Sequence, residues 1–404
     1  MKKIFFFFIT IMFLCSAAGY TQWLSMNGPN GSQVRCITSV PGKLFVGTAN
    51  NKFNYTTNDG GTWVNSGAGL IDNGIYAMTL YGTSVVIGTN AGVFYNNMNI
   101  SSDWTPTNSG ITNFSISAFT VIGTKLLTGT YGGGVFICDG PATTWVQSNS
   151  GLANQTVIGL LTKGSDVYAG TYGGGVFRST NQGASWTSVN TGLINQYVPC
   201  FTYLGNDIYC GTYGAGVFKS TDNGGSWTQI NNGLTNTTIN GLAASGNKVI
   251  AATQAGVFAT FNNGNIWVQF NTGLLDQNVR ALAMGANVVY AGTDNAFCYK
   301  RNLTEIVSVE NNSALVSTSF KLNQNYPNPF NPSTNINFTL DKNSDVKLSL
   351  YDVTGKLIKV LKEGFLNAGS YDEKINMAGF GTGIYFYALE TPDGKLTQKM
   401  ILAK

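Results

Sequence analysis

Residues 170–186 read GTYGGGVFRSTNQGASW, and degenerate copies of this stretch recur in register along the first three quarters of the chain. The tryptophan that closes each copy sets the beat. Trp23, Trp63, Trp104, Trp145, Trp186, Trp227 and Trp267 follow one another at intervals of 40 or 41 residues and use up all 7 tryptophans of the 404-residue chain. A Gly-Thr or Ala-Thr pair keeps the same interval at Gly47, Gly88, Gly129, Gly170, Gly211, Ala252 and Gly292. A fixed period of this length marks a repeat architecture, in which no unit buries its apolar faces without neighbours.

Within one unit, Thr156–Leu193, four runs alternate with turn chemistry: TVIGLLTK, DVYAGTY, GVFRST and SWTSVN, broken at Gly164-Ser165, Gly173-Gly174 and Asn181-Gln182-Gly183. Each run is short, rich in Val, Ile, Thr and aromatic residues and bounded by turn formers, which predicts antiparallel strands; no run carries a sustained helical period. Four strands in a unit of about 40 residues predict blades packed radially around an axis. Seven sets of the first three strands lie between residues 33 and 301, but only six tryptophan-bearing strands follow them. The seventh, around Thr21–Ser25, stands at the other end. It is expected to pair with residues 296–300, closing the ring and covering an open sheet edge. The expected fold is all-β: a seven-bladed β-propeller over residues 20–301, then a linker over 302–319 and a small β-sandwich over 320–404.

Composition bounds the function classes. Between Tyr20 and Lys300 there are 10 Lys or Arg, 9 Asp and no Glu, and the whole chain has no His. A surface that neutral makes no electrostatic claim on nucleic acid. Lys2 and Lys3 precede an apolar run, Ile4–Leu14, too short to cross a bilayer, followed by small residues from Ser16 to Gly19. That is the layout of a signal peptide over residues 1–19. Eleven residues before each Gly-Thr marker stand Cys36, Ala77, Ala118, Gly159, Cys200, Gly241 and Ala281, so Cys36 and Cys200 occupy a column of small packing residues. A two-residue hairpin at Gly205-Asn206 would place Cys200 and Cys210 on opposite sheet faces.

The turn before each tryptophan has its own pattern. Ser220-x-Asp222-x-Gly224-x-x-Trp227 is complete; Ser179 to Trp186, Thr56 to Trp63 and Thr260 to Trp267 substitute Thr for Ser or Asn for Asp. This motif resembles the Asp-box, or BNR, repeats of sialidase-like and photosystem-assembly-factor-like propellers. Its role is expected to be structural: the Asp or Asn accepts bonds from the turn's own backbone, the Gly takes the positive φ and the Trp packs between blades. In the resembling families the box lies away from the ligand face.

Hairpins between second and third strands share a face with the connections between blades. Tyr131, Tyr172 and Tyr213 in the GTYGGGVF-type hairpins, with Asn154, Asn195, Asp72 and Asp276 in the connections, are the candidate ligand-binding set, suited to a glycan or protein ligand. The glycine-rich hairpins are not phosphate loops, because no helix follows them. No catalytic residue, cofactor or metal is expected, since without His or Glu no nucleophile triad, zinc site or sialidase-type acid pair can be assembled. A binding or scaffold module is the expectation; the rival is a carbohydrate-active hydrolase using an aspartate pair such as Asp72 and Asp276.

Beyond Lys300 the beat stops, and all 5 Glu of the chain appear. Alternating runs DVKLSLYD, KLIKVL, SYDEKIN, GIYFYAL and KLTQKMIL predict a small antiparallel sandwich of Ig-like type. The landmarks Tyr326-Pro327-Asn328-Pro329-Phe330, Tyr351-Asp352 with Gly355, Ala368-Gly369, Gly383-Ile384-Tyr385, Lys399-Met400 and Lys404 closely resemble the type A C-terminal sorting domain of the type IX secretion system. A Trp-Asp pair usual before the Gly-Ile-Tyr strand is replaced around Asn376-Met377. The resemblance implies a Bacteroidota-like source and inner-membrane export. It also implies passage through the secretion machinery, removal of the tail by the system's peptidase, and secretion or display at the outer-membrane surface; the mature chain is expected to be a monomer.

Overall fold

In the computed structural model the described residues are 22–29, 33–50, 52–72, 74–100, 103–295, 297–306, 320–353, 356–392 and 394–403, without the side chains of 394 and 395. The signal segment 1–19, most of the expected linker, Gly355 and Lys404 lie outside them. The chain divides into two compact units, Met1–Ile306 and Val307–Lys404.

The repeat Thr156–Leu193 folds as its pattern predicts. Val157–Lys163, Asp166–Thr171, Val176–Ser179 and Thr187–Ser188 form one antiparallel sheet in chain order. Its first hairpin turns at Gly164-Ser165, pairing Lys163 with Asp166. The second strand is buried from Val167 to Thr171, and the fourth is two exposed residues long. Both features have one cause. A strand covered on both faces by neighbouring sheets reads as a continuous apolar or small run, whereas the outermost strand needs only its tryptophan anchored.

Seven four-stranded sheets of this kind stand in the first unit among the described residues. Six are built from consecutive strands. The seventh takes Val279–Met284, Val288–Thr293 and Cys298–Asn302 from the end of the unit and Leu24–Ser25 from its start, with Leu24 opposite Lys300 and Ser25 opposite Tyr299. The first strands of successive repeats pack side by side, and Val279–Met284 returns to Val34–Val40, so the inner strands form a closed ring. The unit is a β-propeller closed by its N-terminal strand. Its boundary falls later than residue 301, because Leu303 and Ile306 are buried in the core shared with Trp23, Val279 and Tyr299.

Each tryptophan ties one sheet to the previous one. The indole N–H of Trp186 donates to the Ser148 carbonyl at 2.9 Å, that of Trp227 to Val189 at 2.8 Å and that of Trp23 to Phe270 at 2.6 Å. The other four repeat the bond, Trp63 to Met26, Trp104 to Ser66, Trp145 to Thr107 and Trp267 to Ile230. The backbone adds a second tie, as where Trp186 N donates to Ser150 O at 2.8 Å. Gly151 makes that approach feasible: its φ is +79°, and a Cβ there would collide with the Trp186 carbonyl oxygen.

The second unit is a sandwich of two sheets. One orders Phe320–Leu322, Ser333–Leu340 and Gly369–Asn376; the other orders Leu357–Leu366, Ser344–Tyr351, Gly383–Thr391 and Gly394–Leu402. Ile336 and Phe338 meet Leu348, Tyr387, Met400 and Leu402 in its core.

Because Trp23 is 2% exposed and bonds across the closure, Trp23→Ala is expected to cost about 3–5 kcal/mol, the usual loss for a truncated buried aromatic. Urea unfolding of the mature chain measures it; an unchanged midpoint would mean that the ring does not depend on this strand.

Candidate functional site

The residue just before the small column in each first strand reaches the axis. Arg35, Tyr76, Ser117, Ile158, Pro199, Asn240 and Arg280, one from each repeat, all line a single cavity of about 430 Å³ at the mouth of the ring. Ring closure places the first and last repeats side by side, so Arg35 and Arg280, far apart in sequence, share this cavity. Hairpin and connection residues, among them Asn90, Ser115, Tyr131, Tyr197 and Tyr213, complete its wall.

The wall is unlike on its two sides. Tyr131, Tyr172, Tyr197 and Tyr213 form a continuous aromatic strip over the third to fifth repeats, with ring centroids 6.1, 4.4 and 5.0 Å apart in that order. Tyr131, Tyr172 and Tyr213 are 52%, 48% and 41% exposed. Burial, then the three neighbouring phenols, pushes the Tyr197 hydroxyl above its ordinary range, so the strip is protonated and neutral at Tyr197. On the far side, the Arg35 guanidinium lies 5.7 Å from the centre of the Tyr76 ring, whose hydroxyl accepts from Asn90 Nδ2 at 2.9 Å. Arg280 Nε is bound to Asp294 Oδ1 at 2.9 Å.

The expected tyrosines thus come together, with Tyr172 wedged between Tyr131 and Tyr197 rather than on the cavity wall itself. The expected amides and carboxylates serve otherwise. Asn154 accepts from Thr156 N and donates to Tyr172 O; Asn195 accepts from Tyr197 N and donates to Tyr213 O. Asp72 accepts from Gly74 N and Asn90 N, and Asp276 from Asn278 N and Asn295 N. All four commit their polar atoms to loop backbone, and none lines the cavity. Asn154 and Asn195 brace the hairpins that carry Tyr172 and Tyr213, and Asp72 and Asp276 those that carry Asn90 and Asn295. Arg35, Tyr76, Tyr197, Asn240 and Arg280 were missed from the sequence. For all but Tyr197 the signal was the column one position before the small residues, where two arginines and a tyrosine stand among Ser, Ile, Pro and Asn.

The cysteines offer no chemistry here. Cys36, Cys138, Cys200, Cys210 and Cys298 are free. Burial pushes the Cys36 and Cys200 thiols up to about 12 and Cys210 well above its ordinary value. Cys210 pairs with Phe201, not with Cys200, and the two thiols enter different cores on opposite faces of their sheet. No group of three or more potential metal ligands exists among the described residues.

On the opposite face of the ring, the Ser220–Trp227 turn is self-contained. Ser220 Oγ donates to Asp222 Oδ1 at 2.7 Å, Gly224 N donates to Ser220 Oγ at 2.7 Å, and Ser226 N donates to Asp222 Oδ1 at 2.9 Å. Asn181 does the same in its own copy, accepting from Ser185 N.

In the C-terminal unit, the Tyr326–Phe330 segment is sewn to the last strand. Ile401 N donates to Asn328 Oδ1 at 2.9 Å, Phe330 N donates to Ile401 O, and Ala403 N donates to Phe330 O. Phe330 and Met400 are buried, Lys399 and Tyr326 are exposed, and the Tyr385 hydroxyl donates to Gly381 O. Residues 324–403 match the family model described as a secretion system C-terminal sorting domain. The chain ends in a secretion-system sorting domain. It is therefore cargo of a secretion system, with the sorting domain following a propeller.

No curated protein matches the chain. Among solved structures, the extracellular domain of the hybrid two-component system BT3049 from B. thetaiotaomicron is similar at 14% identity and a TM-score of 0.59, covering 94% of this chain and 56% of that one. PorZ, a surface component of the type-IX secretion system of Porphyromonas gingivalis, is similar at 14% identity and a TM-score of 0.55, covering 94% and 60%. YCF48 bound to D1 peptide is similar at 12% identity and a TM-score of 0.58, covering 70% and 96%. This chain thus spans little more than half the length of the first two, and at such identities the likeness shows the propeller fold alone. Among the described residues no helix is long and apolar enough to cross a membrane.

The hydrogen bonds from Ser226 and Ser220 hold the Asp222 carboxyl down at about 2, below its ordinary 3.8. A depressed carboxylate contributes stability above its unfolded pKa and loses it as pH falls through the folded one. The stability of wild type relative to Asp222→Asn is therefore expected to decline between about pH 4 and about pH 2. Thermal unfolding of both at stepped pH measures this; parallel curves would dissociate the carboxylate from the turn.

Proposed function

We propose that the propeller is a non-catalytic recognition module. It would be exported by a signal peptide and then by the type IX machinery reading the sorting domain, whose peptidase removes the tail to leave a monomer outside the cell. The observation that carries the recognition reading is the mouth cavity: an exposed strip of tyrosines faces arginine across the ring axis, and among the described residues no carboxylate lines the space between. Concave sites with aromatic walls and a few polar groups are what ligand binding uses. Hydrolysis of a glycosidic bond needs two carboxylates flanking it. Asp72 and Asp276 instead hold loop backbone, and Asp294 holds Arg280.

Two measurements test this reading. Deleting residues 320–404 is expected to abolish extracellular accumulation while leaving the chain in the periplasm; wild-type levels in the medium would refute the sorting role. The mature chain is expected to give no turnover across a polysaccharide hydrolysis screen. Turnover abolished by Asp72→Asn or Asp276→Asn would establish the hydrolase instead.

A further inference from the structure

We infer that the propeller mouth binds an acidic oligosaccharide, with a sugar carboxylate on Arg35 and the sugar rings laid against the strip formed by Tyr131, Tyr172, Tyr197 and Tyr213. This rests on the reading that the mouth is the binding site, and it adds the class of ligand.

The anion follows from how the two arginines are used. Arg280 is neutralised by Asp294 at 2.9 Å. Arg35 is exposed, lies over the Tyr76 ring and forms no ion pair among the described residues. The cation–π contact with Tyr76 steadies the guanidinium, and a guanidinium matches a carboxylate with two parallel bonds. The Tyr76 ring is itself steadied by the bond from Asn90, so the cation is presented from a braced platform.

The sugar follows from the opposite wall. The strip offers ring faces and hydroxyls together, and Gln254 Nε2 meets the Tyr213 hydroxyl at 3.0 Å to extend its polar rim. Rigid amphipathic rings give contact area to the C–H faces of sugars and hydrogen bonds to their hydroxyls with little entropy lost. A peptide adding as a strand would need free backbone groups on the inner strands. At the mouth two of those carbonyls are taken: Ser117 Oγ donates to Val157 O, and Asn240 Nδ2 donates to Val279 O. The anion site belongs to the first repeat and the strip to the third, fourth and fifth. The ligand must therefore span the axis, which calls for an oligosaccharide rather than one sugar.

Calorimetric titration of the full mature chain tests the inference with three probes: trigalacturonate, the neutral galactose trisaccharide of the same linkage, and a tyrosine-containing tripeptide with a free C-terminal carboxylate. Trigalacturonate is expected to bind at least about tenfold more tightly than the other two, as a charge-assisted pair implies. Arg35→Gln is expected to erase that preference. Arg35→Lys, which keeps the charge and loses the fork, is expected to recover only part of it, and Tyr172→Ala to weaken both sugars; all three variants should melt as wild type does. Equal binding of acidic and neutral sugars that Tyr172→Ala still weakens would overturn the acidic class and leave the mouth as the site. Preference for the peptide, or no binding of any probe, would overturn the sugar. Sugar binding unmoved by every variant would remove the mouth itself as the site.

Discussion

Seven indole-to-carbonyl bonds hold the propeller in shape. A blade of four short strands is apolar on both faces, so it is stable only between two others, and the tryptophan supplies both the buried area and the directed bond that fix the spacing. Because each bond runs from one repeat to the one before, the set must be complete to be self-consistent. Trp23, reaching Phe270, joins the two ends of the series. The glycine at positions such as Gly151 is the counterpart of the tryptophan: one brings the next sheet close, and the other leaves room for its carbonyl.

The same closure creates the site. Arg35 belongs to the first repeat and Arg280 to the last, and only the return of Val279–Met284 to Val34–Val40 brings them to one cavity. Their different fates then depend on single neighbours. In the column after the Gly-Thr marker, where the central repeats carry tyrosine, the sixth repeat has Gln254, which ends the aromatic strip, and the last has Asp294, which neutralises Arg280.

Architecture was legible because it is periodic. The spacing of tryptophans, the four runs per repeat, the spare strand at Trp23 and the opposite faces of Cys200 and Cys210 all follow from counting, and the strands appear where the counts put them. Function was legible only in part, because a binding site in a repeat protein resides in departures from the repeat. Tyr131, Tyr172 and Tyr213 stood out as a shared departure. Tyr197 sits at a connection position that holds Gly74, Ser115, Thr156, Thr238 and Asn278 in sister repeats, and Arg35 and Arg280 are joined by closure rather than by sequence. Asn154, Asn195, Asp72 and Asp276 show the converse: a column that holds Asn or Asp in six repeats serves the backbone that every repeat shares.

Pairing Leu24 with Lys300 also orders events in time. The strand that completes the last sheet lies close behind the expected signal segment, yet its partner is separated from it by nearly the whole propeller. Contacts of such long range form late, since the loop they close must be collapsed first. The newly made chain therefore carries an unsatisfied end blade until its final repeat exists. The ring cannot close piecemeal, and a chain lacking its final repeat leaves an apolar sheet face uncovered.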